Sequence, residues 1–185
     1  ARPRCHALRP SLKAALVPVN TNYRYTQDEL HALWDNADAT VVVFDASFSP
    51  TIEAIRARCT KVRAWLCVGQ AGPCPAWARP WPEQARSEPP TTPWQRSGDD
   101  LILIYTGGTT GQPRGVMWQQ HELYMASNTT GDPDQADSDL VRQRVGESPK
   151  RPVGLPAAPL MHGTAFVFAS TVLNRCLLYT SPSPR

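Results

Sequence analysis

Residues 105–115 read Tyr-Thr-Gly-Gly-Thr-Thr-Gly-Gln-Pro-Arg-Gly, four glycines and three threonines in eleven positions. They follow directly on the apolar run Leu101-Ile-Leu-Ile104. A strand that empties into such a loop exposes backbone N–H groups with no side chains in the way and adds small hydroxyls. That donor set suits a polyphosphate. Arg114 contributes a positive charge that deprotonation does not remove. The chemistry these residues could perform is therefore the binding and neutralisation of a chain of phosphates.

Two other phosphate loops are excluded by spacing. The Walker pattern needs Gly, four residues, then Gly-Lys-Ser/Thr, and no glycine here is followed by Lys-Ser or Lys-Thr. The dinucleotide fingerprint Gly-x-Gly-x-x-Gly is only half present in Gly108-Thr-Thr-Gly111, and Pro113 follows too soon for an opening helix. A plain Gly/Thr turn between two strands is the remaining alternative at the level of composition.

The elements that must position this loop alternate along the chain. Ala14 to Val19 reads as a short strand. Thr26-Gln-Asp-Glu29 is a capping box, and it opens a helix with Leu30, Leu33, Trp34 and Ala37 at helical spacing. Thr40 to Phe44 reads as a buried strand, Ser49-Pro50 as a helix start with Ile52, Ile55 and Cys59 on one face, and Val62 to Val68 as another strand. Such alternation predicts an α/β fold with a mainly parallel sheet and helical crossovers. Residues 70–98 interrupt it with Pro73, Pro75, Pro80, Pro82, Pro89, Pro90 and Pro93, which exclude an interior helix or central strand. Trp77, Trp81 and Trp94 predict that this long loop lies partly on the domain. Val116 to Trp118 reads as the return strand, Gln119 to Asn128 as a helix, and Val153 to Ala158 as a further strand.

Composition narrows the rest. Hydrophobic residues make up 41% of the 185, which fits a globular domain with a core of its own. No apolar run approaches the roughly 18 residues of a bilayer span, and the first residues lack the apolar region of a secretory signal. The formal net charge is +3, but Arg2, Arg4, Arg9 and Lys13 fall in the first thirteen residues without an acid, so the remainder is near neutral. No basic, aromatic-interleaved patch suggests nucleic acid. Five cysteines, widely spaced and without a Cys-x-x-Cys pair, argue against a disulfide framework or zinc site and fit a reducing cytosol. Asp132, Asp134, Asp137 and Asp139 alternate in a polar stretch, but Pro133 and the misplaced glycine and glutamate favour a solvated loop over a calcium loop.

The loop's order of residues closely resembles the phosphate-binding signature of the adenylate-forming (AMP-binding) enzymes, Tyr/Phe-Thr-Ser-Gly-Thr-Thr-Gly-x-Pro-Lys-Gly. Gly107 replaces the commonest serine, and Arg114 replaces lysine. A second segment, Ala158-Pro-Leu-Met-His162-Gly163, is similar to the Pro-Leu-Phe/Met-His-Gly segment of acyl-CoA synthetases, whose histidine borders the acyl carboxylate. A histidine alone is usually a satisfied structural residue. Amino-acid-activating members usually carry an aspartate at this segment for the substrate ammonium, and Met161-His162 offers none. Val17 to Leu30 is also similar to the segment preceding these motifs in bacterial acyl-CoA synthetases. The resemblance covers about residues 14–174.

It implies part of the N-terminal domain of a fatty-acid or sterol-side-chain CoA ligase. In that reaction a carboxylate attacks the α-phosphate of Mg²⁺-bound ATP, giving acyl-AMP and pyrophosphate, and the CoA thiolate then displaces AMP. The implied phosphate-binding residues are Thr106, Gly107, Gly108, Thr109, Thr110, Gly111 and Arg114. His162 would border the acyl substrate. No catalytic residue or protein metal ligand is assigned within the chain. The implied partners are a small-molecule carboxylic acid, ATP and CoA, in a cytoplasmic protein that could sit peripherally on a membrane. The family's adenine, magnesium, ribose and hinge segments and its catalytic lysine have no match here, so this polypeptide by itself is expected not to turn over. A head (1–13) and a tail (175–185) depart from the family pattern and are expected to be non-native. A peptide-synthetase or aryl-acid adenylation domain, or an inert nucleotide-binding remnant, are the alternative readings.

Overall fold

The structure is a computed structural model that describes residues 11–12, 14–69, 72–81, 97–106 and 114–128, with 143, 147, 153–154, 163, 165–168 and 178–179. It divides into two units, Ala1–Arg96 with Gly107–Pro113, and Ser97–Thr106 with Arg114–Arg185.

In the first unit, helix α1 (Gln27–Asn36) starts at the expected box. The Thr26 amide donates to Glu29 Oε2 at 2.7 Å, and the Glu29 amide donates to Thr26 Oγ1 at 3.4 Å. The Thr26 backbone N–H most, and next its hydroxyl, which donates to the same Oε2 at 2.8 Å, hold the Glu29 carboxyl below its usual range. At the other end the chain turns through Asp38 (φ 49°), and the Ala39 amide closes on Trp34 O at 2.9 Å. Lys61 locks that end: its Nζ donates to the Asp35 carbonyl at 2.7 Å and pairs with Asp35 Oδ1 at 3.0 Å and Asp38 Oδ1 at 2.8 Å.

Strand β1 (Val41–Asp45) pairs in parallel with β2 (Ala64–Val68), in the register Val42↔Trp65 and Phe44↔Cys67. Between them the Asp45 carboxylate caps a 3₁₀ turn (Ala46–Phe48), and α2 (Ser49–Ile55) follows with Pro50 near its start. A two-residue strand β3 (Arg79–Pro80) adds to the free side of β2, giving the order β1-β2-β3. Pro80 thus lies at a sheet edge, where its missing N–H costs no central ladder bond. Leu33, Ile52, Ile55 and Cys67, all at most 2% exposed, form the centre of the core. Above it Trp34 meets Trp65 edge-on at 5.8 Å, while Trp77 stacks on Phe44 at 5.4 Å and meets Trp65 edge-on at 6.0 Å.

Two expectations need correction in this unit. Ala14 and Ala15 form a turn rather than a strand, with the Leu16 amide bonded to Ser11 O at 2.9 Å and Ala15 at φ 53°; only Val19 makes an isolated bridge. The apolar run 14–19 is broken by Pro18, which cannot donate to a ladder. The cysteines also do more than expected: Cys67 and Cys74 are joined as a disulfide across a reversal containing Gly69 and Gly72. Their separation of seven residues carries no sequence signature of pairing.

In the second unit, β4 (Leu101–Thr106) and β5 (Arg114–Gln119) form an antiparallel hairpin, and α3 (Gln120–Asn128) continues from β5. A turn at 97–100 ties the hairpin to the helix. The Gln120 amide donates to Asp100 O and the His121 amide to Gly98 O, both at 2.9 Å. Gly98 permits that approach, since a Cβ there would lie 2.8 Å from His121 Cβ. Ala165 and Phe166 are buried in a short helical stretch, and β6 (Val153–Gly154) pairs in parallel with β7 (Leu178–Tyr179). Only the first two residues of the expected strand 153–158 are described as strand.

Candidate functional site

The β4–β5 hairpin carries the candidate site at the end where β4 stops and β5 starts. Its register runs from Leu101↔Gln119 through Tyr105↔Gly115 to Thr106↔Arg114. Alternation along a strand puts residues two apart on one face. Ile102, Ile104 and Thr106 therefore share a face with their partners Trp118, Val116 and Arg114. Leu103 and Tyr105, with Met117 and Gly115, share the other.

The last pair, Thr106 and Arg114, brings one hydroxyl and one guanidinium of the expected phosphate set directly opposite each other, both exposed. Gly107, Gly108, Thr109, Thr110 and Gly111, like His162, lie outside the described residues. Behind the Thr106–Arg114 pair the buried Tyr105 ring lies across Gly115. A Cβ on Gly115 would sit 2.8 Å from Tyr105 Cζ and 2.9 Å from Cε2. This contact fixes the strand spacing at the point where the chain departs and returns, and motif reading missed it. An aromatic residue facing a glycine across the mouth of a hairpin is its only trace in the sequence.

The second motif approaches the same hairpin. Gly163, the neighbour of His162, comes so close to β4 that a Cβ there would lie 3.0 Å from Ile104 Cγ2. Ile104 shares its face with Thr106 and Arg114. Gly163 of the second segment thus packs against β4, the strand that leads into the first, on the face that carries Thr106 and Arg114. Such an arrangement can present cation and hydroxyl donors to an anion beside the segment that carries a histidine. Among the described residues no group of three His, Cys, Asp or Glu side chains gathers to hold a metal ion, and no helix is long and apolar enough to cross a membrane.

Residues 9–184 match the family model described as AMP-binding enzyme. The medium-chain acyl-CoA ligase Mig of Mycobacterium avium is 31% identical over 169 residues, which span 86% of this chain and 30% of Mig. A medium/long-chain-fatty-acid–CoA/3-oxocholest-4-en-26-oate–CoA ligase of Mycolicibacterium smegmatis is 30% identical over 162 residues, 82% of this chain and 29% of that protein. The chain therefore spans about 30% of the length of these relatives. Among solved structures, the inhibitor-bound N-terminal domain of FACL13 from Mycobacterium tuberculosis superposes with a TM-score of 0.60 at 22% identity, over 92% of this chain and 39% of that one. At that identity the likeness speaks for the fold, that of an adenylate-forming N-terminal domain in part.

Proposed function

The chain belongs to the AMP-binding enzyme family, and on that premise we propose that it supplies the triphosphate-binding hairpin of an acid–CoA ligase that works through an acyl-AMP. The observation that carries this reading is the Thr106–Arg114 pair, exposed at the end of the hairpin and on the face that Gly163 approaches. Thr106, Gly107, Gly108, Thr109, Thr110, Gly111 and Arg114 bind the β- and γ-phosphates of ATP. Fixed N–H and hydroxyl donors stabilise charge on the departing pyrophosphate at no reorganisation cost when the bond breaks. Arg114 adds a full charge and a planar fork that matches two phosphate oxygens. Magnesium enters as the chelate of the nucleotide, and His162 borders the acyl carboxylate.

Fatty or sterol-derived acids are the proposed substrates, supported by the names of the similar ligases and by the lack of an aspartate beside His162 to pair with an amino group. CoA is the proposed acceptor. The cytoplasm, with peripheral membrane contact, is the proposed location. Residues 14–174 are the proposed family portion that carries the motifs. This polypeptide by itself is proposed to bind the nucleotide without turning it over.

Calorimetric titration with Mg²⁺-bound ATP tests the reading. Binding should be measurable and should be lost in the double variant Thr109→Ala/Thr110→Ala. An unchanged affinity in that variant removes the phosphate role. Acid-dependent ATP–pyrophosphate exchange by this chain would show that it needs no further catalytic parts.

A further inference from the structure

We propose that Cys67 and Cys74 form a thiol–disulfide exchange site for small-molecule disulfides such as oxidised glutathione, and that its state latches the segment 72–81 onto the first unit's sheet. The two residues belong to different structural environments. Cys67 sits in mid-strand on β2, fully buried opposite Phe44. Cys74 lies beyond the reversal and keeps part of its surface in solvent. Their Cα atoms are 5.8 Å apart, a separation at which a disulfide forms without moving the backbone.

The same backbone also accommodates the thiols. In that form the Cys74 S–H has an acceptor in reach, the Cys67 carbonyl oxygen at 3.5 Å. This carbonyl also accepts from the Trp81 amide at 2.7 Å. Both redox states are therefore compatible with one fold, which is the condition for reversibility.

The difference in exposure orders the chemistry. The Cys74 thiolate attacks one sulfur of an external disulfide and expels the first small thiolate. The buried Cys67 sulfur then attacks Cys74 Sγ in the mixed disulfide and expels the second. Two protein thiols become one disulfide, the external disulfide is reduced to two thiols, and the two protons lost by the protein end on them. Cys59, the other described cysteine, is a poor competitor. Burial above all, reinforced by Asp35 and opposed by Arg58, pushes its thiol up from the ordinary range, and the thiolate is the reactive form.

What the bond holds is visible around it. Between Cys74 and Trp81 the chain makes the Ala78 N–H bond to Pro75 O at 2.9 Å, the two-residue pairing of β3, and the Trp77 stack on Phe44, with Arg56 5.3 Å from the Trp77 ring. Pro75 and Pro80 limit the amides available for anchoring, so a covalent tie carries more of the restraint here than in an ordinary strand.

The test equilibrates the protein with glutathione mixtures spanning about a thousandfold in ratio, followed by acid quench, alkylation and mass analysis of the tryptic peptide that begins at Ala64. The expected result is a population that moves from the doubly alkylated peptide to an unalkylated one, two hydrogens lighter than the free dithiol peptide. Amide exchange at Ala78 and Trp81 should slow about tenfold or more in the oxidised form. Cys74→Ser, at the more exposed position, should abolish both changes, and Cys59→Ser should leave both intact. A pair that stays reduced throughout, a bond that persists in excess reductant, or equal exchange in the two forms would overturn the proposal.

Discussion

The Tyr105 ring covers Gly115, its partner across the β4–β5 ladder, one residue before the Thr106–Arg114 pair. Tyr105 is only 6% exposed, so its ring has little room to retreat from a new methyl group. Gly115→Ala should therefore overpack the hairpin and destabilise the unit by about 1–3 kcal/mol in chemical denaturation. Its affinity for Mg²⁺-bound ATP should fall as well. Tyr105→Phe, which keeps the ring, should bind ATP as the parent does. Full ATP affinity in Gly115→Ala would separate the packing from the site.

Arg114 is exposed at the strand end, so removing it should cost little stability. If it faces a phosphate, Arg114→Ala should weaken nucleotide binding by about 10- to 100-fold, the worth of a charge-assisted hydrogen bond. Arg114→Lys should recover part of that loss, because charge returns without the planar fork. Titration at two salt concentrations checks this, since the parent should lose affinity with salt more steeply than Arg114→Ala.

The capping box makes a pH prediction with a definite sign. Thr26 holds the folded-state pKa of Glu29 below its unfolded value. The resulting stability is present above the unfolded carboxylate range and is lost as pH falls through the folded-state value. Thr26→Ala removes the hydroxyl but keeps the backbone donor, so the Glu29 titration, followed by carboxyl NMR, should move only part of the way up towards the ordinary range. The melting temperature at neutral pH should also fall by a few degrees, as expected for a lost N-cap. A Glu29 titration that does not move would show that the hydroxyl adds nothing to the hold of the backbone N–H.

Ile55 is fully buried at the end of α2. Ile55→Ala should leave a cavity and cost about 2–5 kcal/mol. Leu16, at 56% exposure, serves as the contrast: Leu16→Ala should change stability by no more than about 0.5 kcal/mol. Urea denaturation of both variants reads the difference.

Much of this protein was legible along the chain because the signals are local. The capping box at Thr26–Glu29, the proline that opens α2, and the apolar runs of β1, β2 and β4 act over a few residues, and each element forms as its pattern indicates. The phosphate motif is equally local, since its glycines and threonines are contiguous. Within the described residues 72–81, the one strand contains Pro80 and lies at an edge, as the prolines there indicated. Apolar character misled at 14–19, suggesting a strand that Pro18 and the Ala14–Ala15 turn do not allow.

Other relationships depend on residues far apart in sequence or on backbone reversals that leave no periodic trace. Pairing of Cys67 with Cys74 needs the chain to double back at the end of β2. The Tyr105–Gly115 contact needs the antiparallel register, because a shift of one residue would send the ring to the other face. The approach of Gly163 to Ile104 needs the tertiary course of the second unit. Residue types alone thus carried the chemistry proposed for this protein, through contiguous donors and a cation. Which side chains meet around it was decided by strand register and close packing, properties of the folded chain that no single segment encodes.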